Sequence, residues 1–338
     1  MHLKNLLYIG NKLSGKGINI TTIETLGTSL TREGYAVSYA SEKMNPLLRM
    51  FDMVWTTIRL RRQTDFVLID TYSTYGFWFA FIISQLCRIL KLRYIPILHG
   101  GNLPNRLQNN PKLCEMVFGN AYQNVAPSHY LLEAFRKSGF TNLVFIPNTI
   151  EIERYPYFER KALRPKLLWV RAFDQMYNPK MAVAVLYELQ KKFPDAQLCM
   201  VGPDRDGSME RCKDYALDKK VSVSFTGRLP KEEWIALAAE YDIFINTTHF
   251  DNTPVSVMEA MALGLPVVTT NVGGIPFLLK DREEALLVND DDVDGMVESI
   301  TILIEKPVEA QRIIQKARIK AEGWDWEAVK EQWGTLFG

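Results

Sequence analysis

The chain has 338 residues, 47% of them hydrophobic and 23% charged, which favours a soluble protein of two domains over a single core. The formal net charge of +1 conceals an asymmetry: residues 1–150 carry 16 Lys and Arg against 8 Asp and Glu, whereas residues 151–338 carry 24 against 31. The basic half, at +8, could meet nucleic acid, an anionic membrane or a phosphorylated substrate.

The composition of three segments narrows the protein class further. The N-terminal MHLKNLLYIG lacks the apolar core and cleavage site of a secretory signal and is typical of a first buried strand. The longest apolar run, GFWFAFII, is well short of the roughly 20 residues that a bilayer span needs. The four cysteines have no C-x-x-C spacing, so we expect neither disulfides nor a cysteine metal site, as in a reducing cytoplasm.

Strand-like and helix-like segments alternate through the chain, which predicts parallel sheets covered by helices. The first series of strands is LKNLLYIG, YAVSYA, DFVLID, RYIPILHG, QNVAPS and NLVFIPN, with helices expected at 18–33, 46–62, 77–91, 110–119 and 128–138. After a predicted linker at 148–166 comes a second series: KLLWVRA, AQLCMVGP, VSVSFTG, DIFINTT, PVVTTN and ALLV. This predicts an α/β protein with two Rossmann-like domains facing a central cleft, with ligands at the carboxyl ends of the strands.

Residues 46–62 form a predicted helix with both apolar and basic positions. Leu47, Met50, Phe51, Val54, Trp55 and Ile58 lie near one face, which we expect to pack on the first sheet. The arginines at 49, 59, 61 and 62 are then free to attract anionic headgroups or a polyprenyl phosphate.

The stretch YIGNKLSGKGIN raises the question of a phosphate loop. Gly10, Gly15 and Lys16 fit the start of G-x-x-x-x-G-K, but Gly17 stands where a Ser or Thr should bind magnesium. A P-loop nucleotide hydrolase therefore remains only as an alternative hypothesis.

The segment NTTHFDNTPVSVMEAMALGLPVVTTNVGGIP, residues 246–276, is the most informative of the chain. It follows an apolar strand and enters a helix at about Pro254, whose N-terminus would offer free N–H groups to an anion. Asp251 lies just before this helix. Glu259 lies among apolar residues inside it, where a carboxylate is costly unless it accepts hydrogen bonds.

This segment resembles retaining glycosyltransferases of the GT-B fold, family 4, whose signature is E-G-x-P-x-x-x-x-E-A-M-A-x-G-x-P-V-V. The chain has D-N-T-P-V-S-V-M-E-A-M-A-L-G-L-P-V-V, and PSHYLLEAF, IPNTIEIERY, MVGPD and FTGRLPKEEW resemble family segments in family order. The resemblance implies an acceptor-binding domain of residues 1–155 plus 322–338 and a nucleotide-sugar-binding domain of 156–321. The C-terminal helix, with Trp326, Val329, Trp333 and Leu336 on one face, would cross back to the first domain.

The resemblance also implies residue roles. Glu259 would hold the ribose hydroxyls and Asp251, where the family usually has Glu, would contact the transferred sugar. Arg171 would neutralise the diphosphate, but Met176 stands where the family has a second cation, so that either Lys180 substitutes or this contact is absent. The backbone of Asn252, Thr253, Pro254 and Val255 would contact sugar and diphosphate, Gly15 and Gly17 would let the first loop approach the donor, and His99 would contact the reacting sugar or acceptor.

The predicted activity is transfer of a sugar from a UDP- or GDP-type donor to an acceptor hydroxyl, with retention of anomeric configuration. We expect no metal, because DRD at 204–206 and DVD at 292–294 lie in turn-like surroundings, and no other cofactor or nucleic-acid partner. A glycan or lipid-linked acceptor of bacterial-type surface polysaccharide or glycolipid synthesis is expected. The enzyme would be cytoplasmic and bind the inner face of the plasma membrane peripherally. A catalytically decayed sugar-nucleotide-binding protein is the second alternative, since Asp251 and Met176 depart from the family pattern.

Overall fold

The computed structural model describes residues 4–13 and 21–338, so Gly15 and Gly17 of the predicted donor loop lie outside the described residues. The chain divides into two compact units, Met1–Thr149 with Val329–Gly338 and Ile150–Ala328. These divisions fall after residues 149 and 328, whereas the sequence placed them after 155 and 321. Each unit contains a six-stranded sheet with parallel neighbours, which confirms the prediction of two Rossmann-like halves.

The sheet of the first unit has the strand order β2-β1-β3-β4-β5-β6. Its strands are β1 (Asn5–Ile9), β2 (Ala36–Ala40), β3 (Phe66–Thr71), β4 (Arg93–Leu98), β5 (Asn124–Ala126) and β6 (Leu143–Phe145). The helices are α1 (Thr22–Arg32), α2 (Pro46–Leu60), α3 (Gly76–Ile89), α4 (Leu103–Asn109), α5 (Pro111–Cys114), continued by a π-helical turn at Glu115–Gly119, and α6 (His129–Lys137).

The sheet of the second unit has the order β12-β11-β10-β7-β8-β9. Its strands are β7 (Lys166–Val170), β8 (Gln197–Val201), β9 (Val223–Gly227), β10 (Ile243–Asn246), β11 (Val267–Thr270) and β12 (Leu286–Val288). The helices that follow are α7 (Pro179–Gln190), α8 (Ser208–Lys219), α9 (Lys231–Leu237), α10 (Val255–Ala262), α11 (Ile275–Leu278), α12 (Val293–Glu305), α13 (Pro307–Glu322) and α14 (Trp326–Phe337).

The central strands are apolar runs because helices cover both faces of a parallel sheet. All six residues of β3, FVLIDT, are buried, as are all four of β10, IFIN. In these two strands the polar side chains lie at the carboxyl ends, where Asp70 and Asn246 are found. Both candidate sites below are built at these ends.

The last residues of the chain pack on the first unit. The Phe337 ring centroid lies 5.5 Å from that of Phe66 in β3 and 5.2 Å from that of Tyr35. Trp333, one helical turn earlier, stacks on Phe337 at 5.9 Å. Of the apolar face predicted for the C-terminal helix, Trp333 takes part in this packing.

Helix α2 differs from the sequence prediction, because much of its expected inner face is exposed. Leu47, Phe51 and Trp55 are 82%, 69% and 55% exposed, whereas Arg49 is buried. The Arg49 guanidinium donates to the carbonyls of Lys43 and Met44 and to Asn11 Oδ1 at 2.8–3.0 Å, so this arginine is not a surface charge. The prediction of the buried face was wrong because α2 has apolar side chains on more than one face, and periodicity does not show which of them is covered.

In the described part of the chain, no helix combines the length and apolarity needed to cross a bilayer.

The predicted linker is more ordered than its sequence indicated. Ile152–Arg154 form a 3-10 turn, and Arg160 is buried in the second unit. Its guanidinium donates to five backbone carbonyls at 3.0–3.1 Å, those of Ala238, Tyr241, Phe158, Leu263 and Gly264. Apart from Phe158, which is two residues away, these acceptors lie 78 to 104 residues away in the sequence, and no local pattern points to them.

Replacing Arg160 tests this anchor. Arg160→Ala leaves several buried carbonyls without donors, so we expect the free energy of unfolding to fall by about 3–5 kcal/mol. Chemical denaturation measures the change. The exposed neighbour Lys161 provides the control, since Lys161→Ala should stay within about 0.5 kcal/mol of the parent. Equal stability of the two variants would contradict the anchoring role.

Candidate functional site

The candidate site of the second unit begins where two neighbouring strands end. β7 and β10 pair in parallel, Arg171 follows β7, and the loop after β10 runs to Pro254. Because the carboxyl ends of paired parallel strands lie at the same sheet edge, the two loops meet, and the Arg171 guanidinium forms an ion pair with Asp251. Two residues predicted for the donor site are thus brought together.

The Arg171 side chain is tightly surrounded. Its guanidinium lies 4.4 Å from the centre of the Tyr177 ring, and burial lowers the pKa of Arg171 from its usual value. Gly202, at the end of β8, has φ +153°, and a Cβ there would overlap the Arg171 carbonyl oxygen. Glycine therefore permits the close approach that fixes the backbone of Arg171.

The loop that carries Asp251 is held by backbone contacts. The N–H of Gly274 donates to the Asp251 carbonyl at 2.7 Å, and a Cβ on Gly273 or Gly274 would overlap the carbonyl oxygens of Asp251 or Asn252. The V-G-G sequence thus allows this second loop to lie directly against the 251–252 backbone. On the other side, His249 N–H donates to the Met176 carbonyl at 2.8 Å.

The N-terminus of α10 presents polar groups that lack partners. Pro254 occupies the N-cap position and Val255 begins the helix, with Asn252 buried just before it. Among the described residues, Thr253 Oγ1, Ser256 Oγ and Arg171 Nε are buried without a hydrogen-bond partner. Buried polar groups are normally satisfied, and a helix N-terminus carries partial positive charge, so this arrangement suits an anionic ligand.

Glu259 lies one turn into α10, 5% exposed, and two residues from other segments bind its Oε1. The Tyr155 hydroxyl donates to Glu259 Oε1 at 2.7 Å, and the Lys231 ammonium forms an ion pair with the same oxygen. Lys231 also donates to the Tyr155 hydroxyl at 2.9 Å. Burial and the charge of Glu259 raise the pKa of the Tyr155 phenol, which therefore stays protonated as a donor.

Tyr155 and Lys231 were missed in the sequence. Tyr155 belongs to the predicted linker, and Lys231 is the first residue of α9, in FTGRLPKEEW. A buried carboxylate at Glu259 requires hydrogen-bond donors, but the sequence does not indicate which residues supply them. Lys180, the predicted substitute cation, lies on the exposed side of α7 with its ammonium 4.7 Å from the Tyr215 ring.

In the first unit, His99 is held by a carboxylate. Its Nε2 lies 2.9 Å from Asp70 Oδ1, which also accepts the Tyr8 hydroxyl at 3.0 Å. The side chains of His99 and Asp70 are only 7% and 1% exposed. Burial and Asp70 raise the pKa of Tyr8, and Asp70 Oδ2 is buried without a hydrogen-bond partner in the described structure. Asp70, for which the sequence indicated no role, is thus the residue that orients His99.

Two acidic motifs that resemble metal-binding pairs accept backbone N–H groups at the starts of helices. Asp204 and Asp206 accept the N–H groups of Gly207 and Ser208 at 3.0 Å, and Asp292 accepts that of Gly295 at 2.8 Å. A different set, His249, Asp290 and Asp291, brings three possible ligand atoms within 4.8 Å of one another, all on exposed residues.

Comparisons with known proteins show which sequences and folds this chain resembles. Residues 157–320 match the family described as glycosyl transferases group 1. Over 228 residues, covering 61% of the chain and 59% of the relative, the sequence is 27% identical to the GDP-mannose-dependent monoacylated alpha-(1-6)-phosphatidylinositol monomannoside mannosyltransferase of Corynebacterium glutamicum. The chain spans about half the length of the curated relatives it matches.

Solved structures establish the fold. Sucrose-phosphate synthase from Thermosynechococcus elongatus superposes with a TM-score of 0.82 at 17% identity, over 99% of this chain and 98% of that one. Anabaena Alr3699/HepE in complex with UDP-glucose gives 0.78 at 15% identity, over 98% of both chains. The fold is therefore that of GT-B proteins, and within it residues 157–320 are similar to the group 1 glycosyl transferases.

Proposed function

We propose that the protein transfers a sugar from a nucleotide-diphosphate donor to an acceptor hydroxyl with retention of anomeric configuration. The observation that carries this proposal is the group of unpartnered polar atoms at the α10 N-terminus, next to Arg171 and one turn from the buried Glu259. A diphosphate would supply acceptors to the first set, and ribose hydroxyls would supply donors to Glu259.

The donor is held by charge and by backbone groups. Arg171 and the helix N-terminus stabilise the leaving diphosphate, with Thr253 Oγ1 and Ser256 Oγ as further donors. Asp251 contacts the sugar hydroxyls from its ion pair with Arg171. UDP and GDP donors both fit this chemistry, and UDP-glucose in the HepE complex and GDP-mannose in the name of the Corynebacterium relative support them.

The proposed reaction needs no protein nucleophile. Asp251 is engaged by Arg171, so its carboxylate is a poor candidate for a covalent sugar intermediate. Instead the bond from the anomeric carbon to the phosphate oxygen breaks, and that phosphate oxygen takes the proton of the acceptor hydroxyl. The acceptor oxygen then bonds to the anomeric carbon on the same face of the sugar. The enzyme contributes positioning and charge stabilisation. His99, oriented by Asp70, is the proposed contact of the first unit to sugar or acceptor.

The acceptor is proposed to be a growing surface glycan or a lipid-linked sugar at the inner face of the plasma membrane. The +8 charge of residues 1–150 and the phosphatidylinositol mannoside in the name of the Corynebacterium relative support this choice.

Incubating the protein with UDP- and GDP-sugars tests the activity, because a transferase releases UDP or GDP slowly even without acceptor. Nucleotide-sugar binding without any turnover would favour a decayed transferase. Hydrolysis of ATP with magnesium would favour the hydrolase alternative.

Glu259→Gln should weaken donor binding. A charge-assisted hydrogen bond worth about 1.5–3 kcal/mol becomes a neutral one, so we expect the Kd measured by calorimetry to rise roughly tenfold. The exposed Glu298 on α12 provides the matched control, since Glu298→Gln removes the same charge away from the site. Unchanged affinity of the Glu259 variant would remove this residue from the ribose role.

Lys231 is proposed to supply the cation that the family has at position 176. Lys231→Ala should raise the donor Kd roughly tenfold through loss of one charge-assisted contact, and adding Met176→Lys should restore part of the affinity. Lys180→Ala is the decisive comparison, because the sequence left Lys180 open as the substitute. A loss of affinity with Lys180→Ala and none with Lys231→Ala would assign the contact to Lys180.

Activity should survive chelation. Since Arg171, Lys231 and the α10 N-terminus can balance the diphosphate charge, we expect the transfer rate in EDTA to equal the untreated rate. Loss of activity on chelation, restored by magnesium or manganese, would refute the metal-free mechanism. His249→Ala and Asp290→Ala would then show whether the exposed His249, Asp290 and Asp291 hold the ion.

A further inference from the structure

Helix α2 carries an exposed apolar stripe on one side. Met44 just before the helix and Leu47, Leu48, Phe51 and Trp55 within it are each at least half exposed, from 50% for Met44 to 82% for Leu47. At 100° per residue, the four positions within the helix fall within about a third of its circumference, and Met44 directly precedes the helix. Scattered exposed apolar residues are ordinary, but a continuous row that includes Phe and Trp marks an interaction surface.

The opposite side of α2 accounts for the packing of the helix, so the stripe is not needed to hold it. Met53, Thr56 and Thr57 are buried, and Thr57 Oγ1 donates to the Met53 carbonyl at 2.8 Å. Val54 packs partly buried against the core that contains Ala80 and Ile83 of α3.

Positive charge continues the stripe at its C-terminal end. Arg59, four residues beyond Trp55, lies on the same side of the helix, and Arg61 and Arg62 follow directly after the helix ends at Leu60. All three are exposed. An apolar row that ends in a Trp and a group of arginines matches the chemistry of a bilayer interface, where apolar side chains enter the acyl boundary, Trp lies at headgroup level and arginines meet phosphates.

A second copy of the chain fits this surface less well. Two copies that met through α2 would bring together two halves of the same +8 charge, which repel. An anionic bilayer supplies the opposite charge and the apolar volume at once. The charge complementarity therefore selects the membrane as the occupant.

We infer that α2 is a membrane-docking helix that lies in the plane of an anionic phospholipid bilayer, with Leu47, Leu48, Phe51 and Trp55 inserted and Arg59, Arg61 and Arg62 on the headgroups. The inference rests on the proposed function only for its purpose, which is to bring the enzyme to a membrane-bound acceptor. It adds that binding has an apolar part, which salt does not screen.

Vesicle co-sedimentation tests the inference on the full-length protein. The wild type should pellet with vesicles that contain anionic phosphatidylglycerol and much less with pure phosphatidylcholine, and part of this binding should persist in high salt. Phe51→Glu with Trp55→Glu should lower the partition coefficient about tenfold or more, since two inserted aromatic side chains are replaced by charges repelled from the surface. Arg59, Arg61 and Arg62 changed together to Gln should remove mainly the salt-sensitive part.

The matched control places the same charges on the other unit. Leu217 in α8 and Ile319 in α13 are 76% and 69% exposed, so Leu217→Glu with Ile319→Glu changes two exposed apolar residues to Glu away from α2 and should pellet like the wild type. Unfolding curves of both double variants should overlay that of the wild type, which excludes misfolding as the cause.

Several outcomes would overturn the inference: equal pelleting with anionic and neutral vesicles, unchanged binding of the Phe51 and Trp55 variant, or a dimer in sedimentation velocity that the same substitutions dissociate. The proposed function is tested separately by release of UDP or GDP from nucleotide sugars in solution, which the α2 variants should retain. Turnover without vesicle binding would reject the docking helix alone, and vesicle binding without turnover would reject the transferase alone.

Discussion

The candidate donor site depends on the burial of one negative charge. Glu259 lies in a helix whose other residues from Ser256 to Ala262 are also buried, an environment in which an unpaired carboxylate would be too costly to remain charged. Its charge is kept by Tyr155, which is 104 residues away in the sequence, and by Lys231, which is 28 residues away. Three separate segments therefore meet at this carboxylate, and together they form the edge of the candidate site.

The first unit uses the same arrangement with different residues. Asp70 is buried at the end of β3, and its charge is met by the Tyr8 hydroxyl and by His99 from the next strand of the sheet. In both units a carboxylate near a strand end or helix start fixes the side chains around it. The consequence for chemistry is preorganisation, because His99 and Lys231 are held before any ligand arrives.

How much the sequence could predict follows from how local each feature is. The sequence could predict the positions of the buried strands and of the helix that begins after Pro254, with Asp251 before it and Glu259 inside it. Each of these features depends on neighbours along the chain. Arg160, Tyr155, Lys231 and Asp70 could not be predicted, because their partners lie far away in the sequence and only the fold brings them near. The buried side of helix α2 was predicted wrongly for another reason. The helix has apolar residues on two sides, and periodicity does not indicate which side is covered.

Net charge is a poor guide to the place proposed here for an anionic ligand. Residues 151–338 sum to −7, yet they contain Arg171, Lys231 and the α10 N-terminus, the groups that suit a diphosphate. Many of the acidic residues lie on the surface or at the starts of helices, as Asp204, Asp206 and Asp292 do, where water and backbone N–H groups screen their charge. Arg171 acts from a buried position, where the local dielectric is lower and a single charge reaches further. The basic excess of residues 1–150 is mostly exposed, so its field would act at long range on an extended anionic surface such as the membrane proposed above.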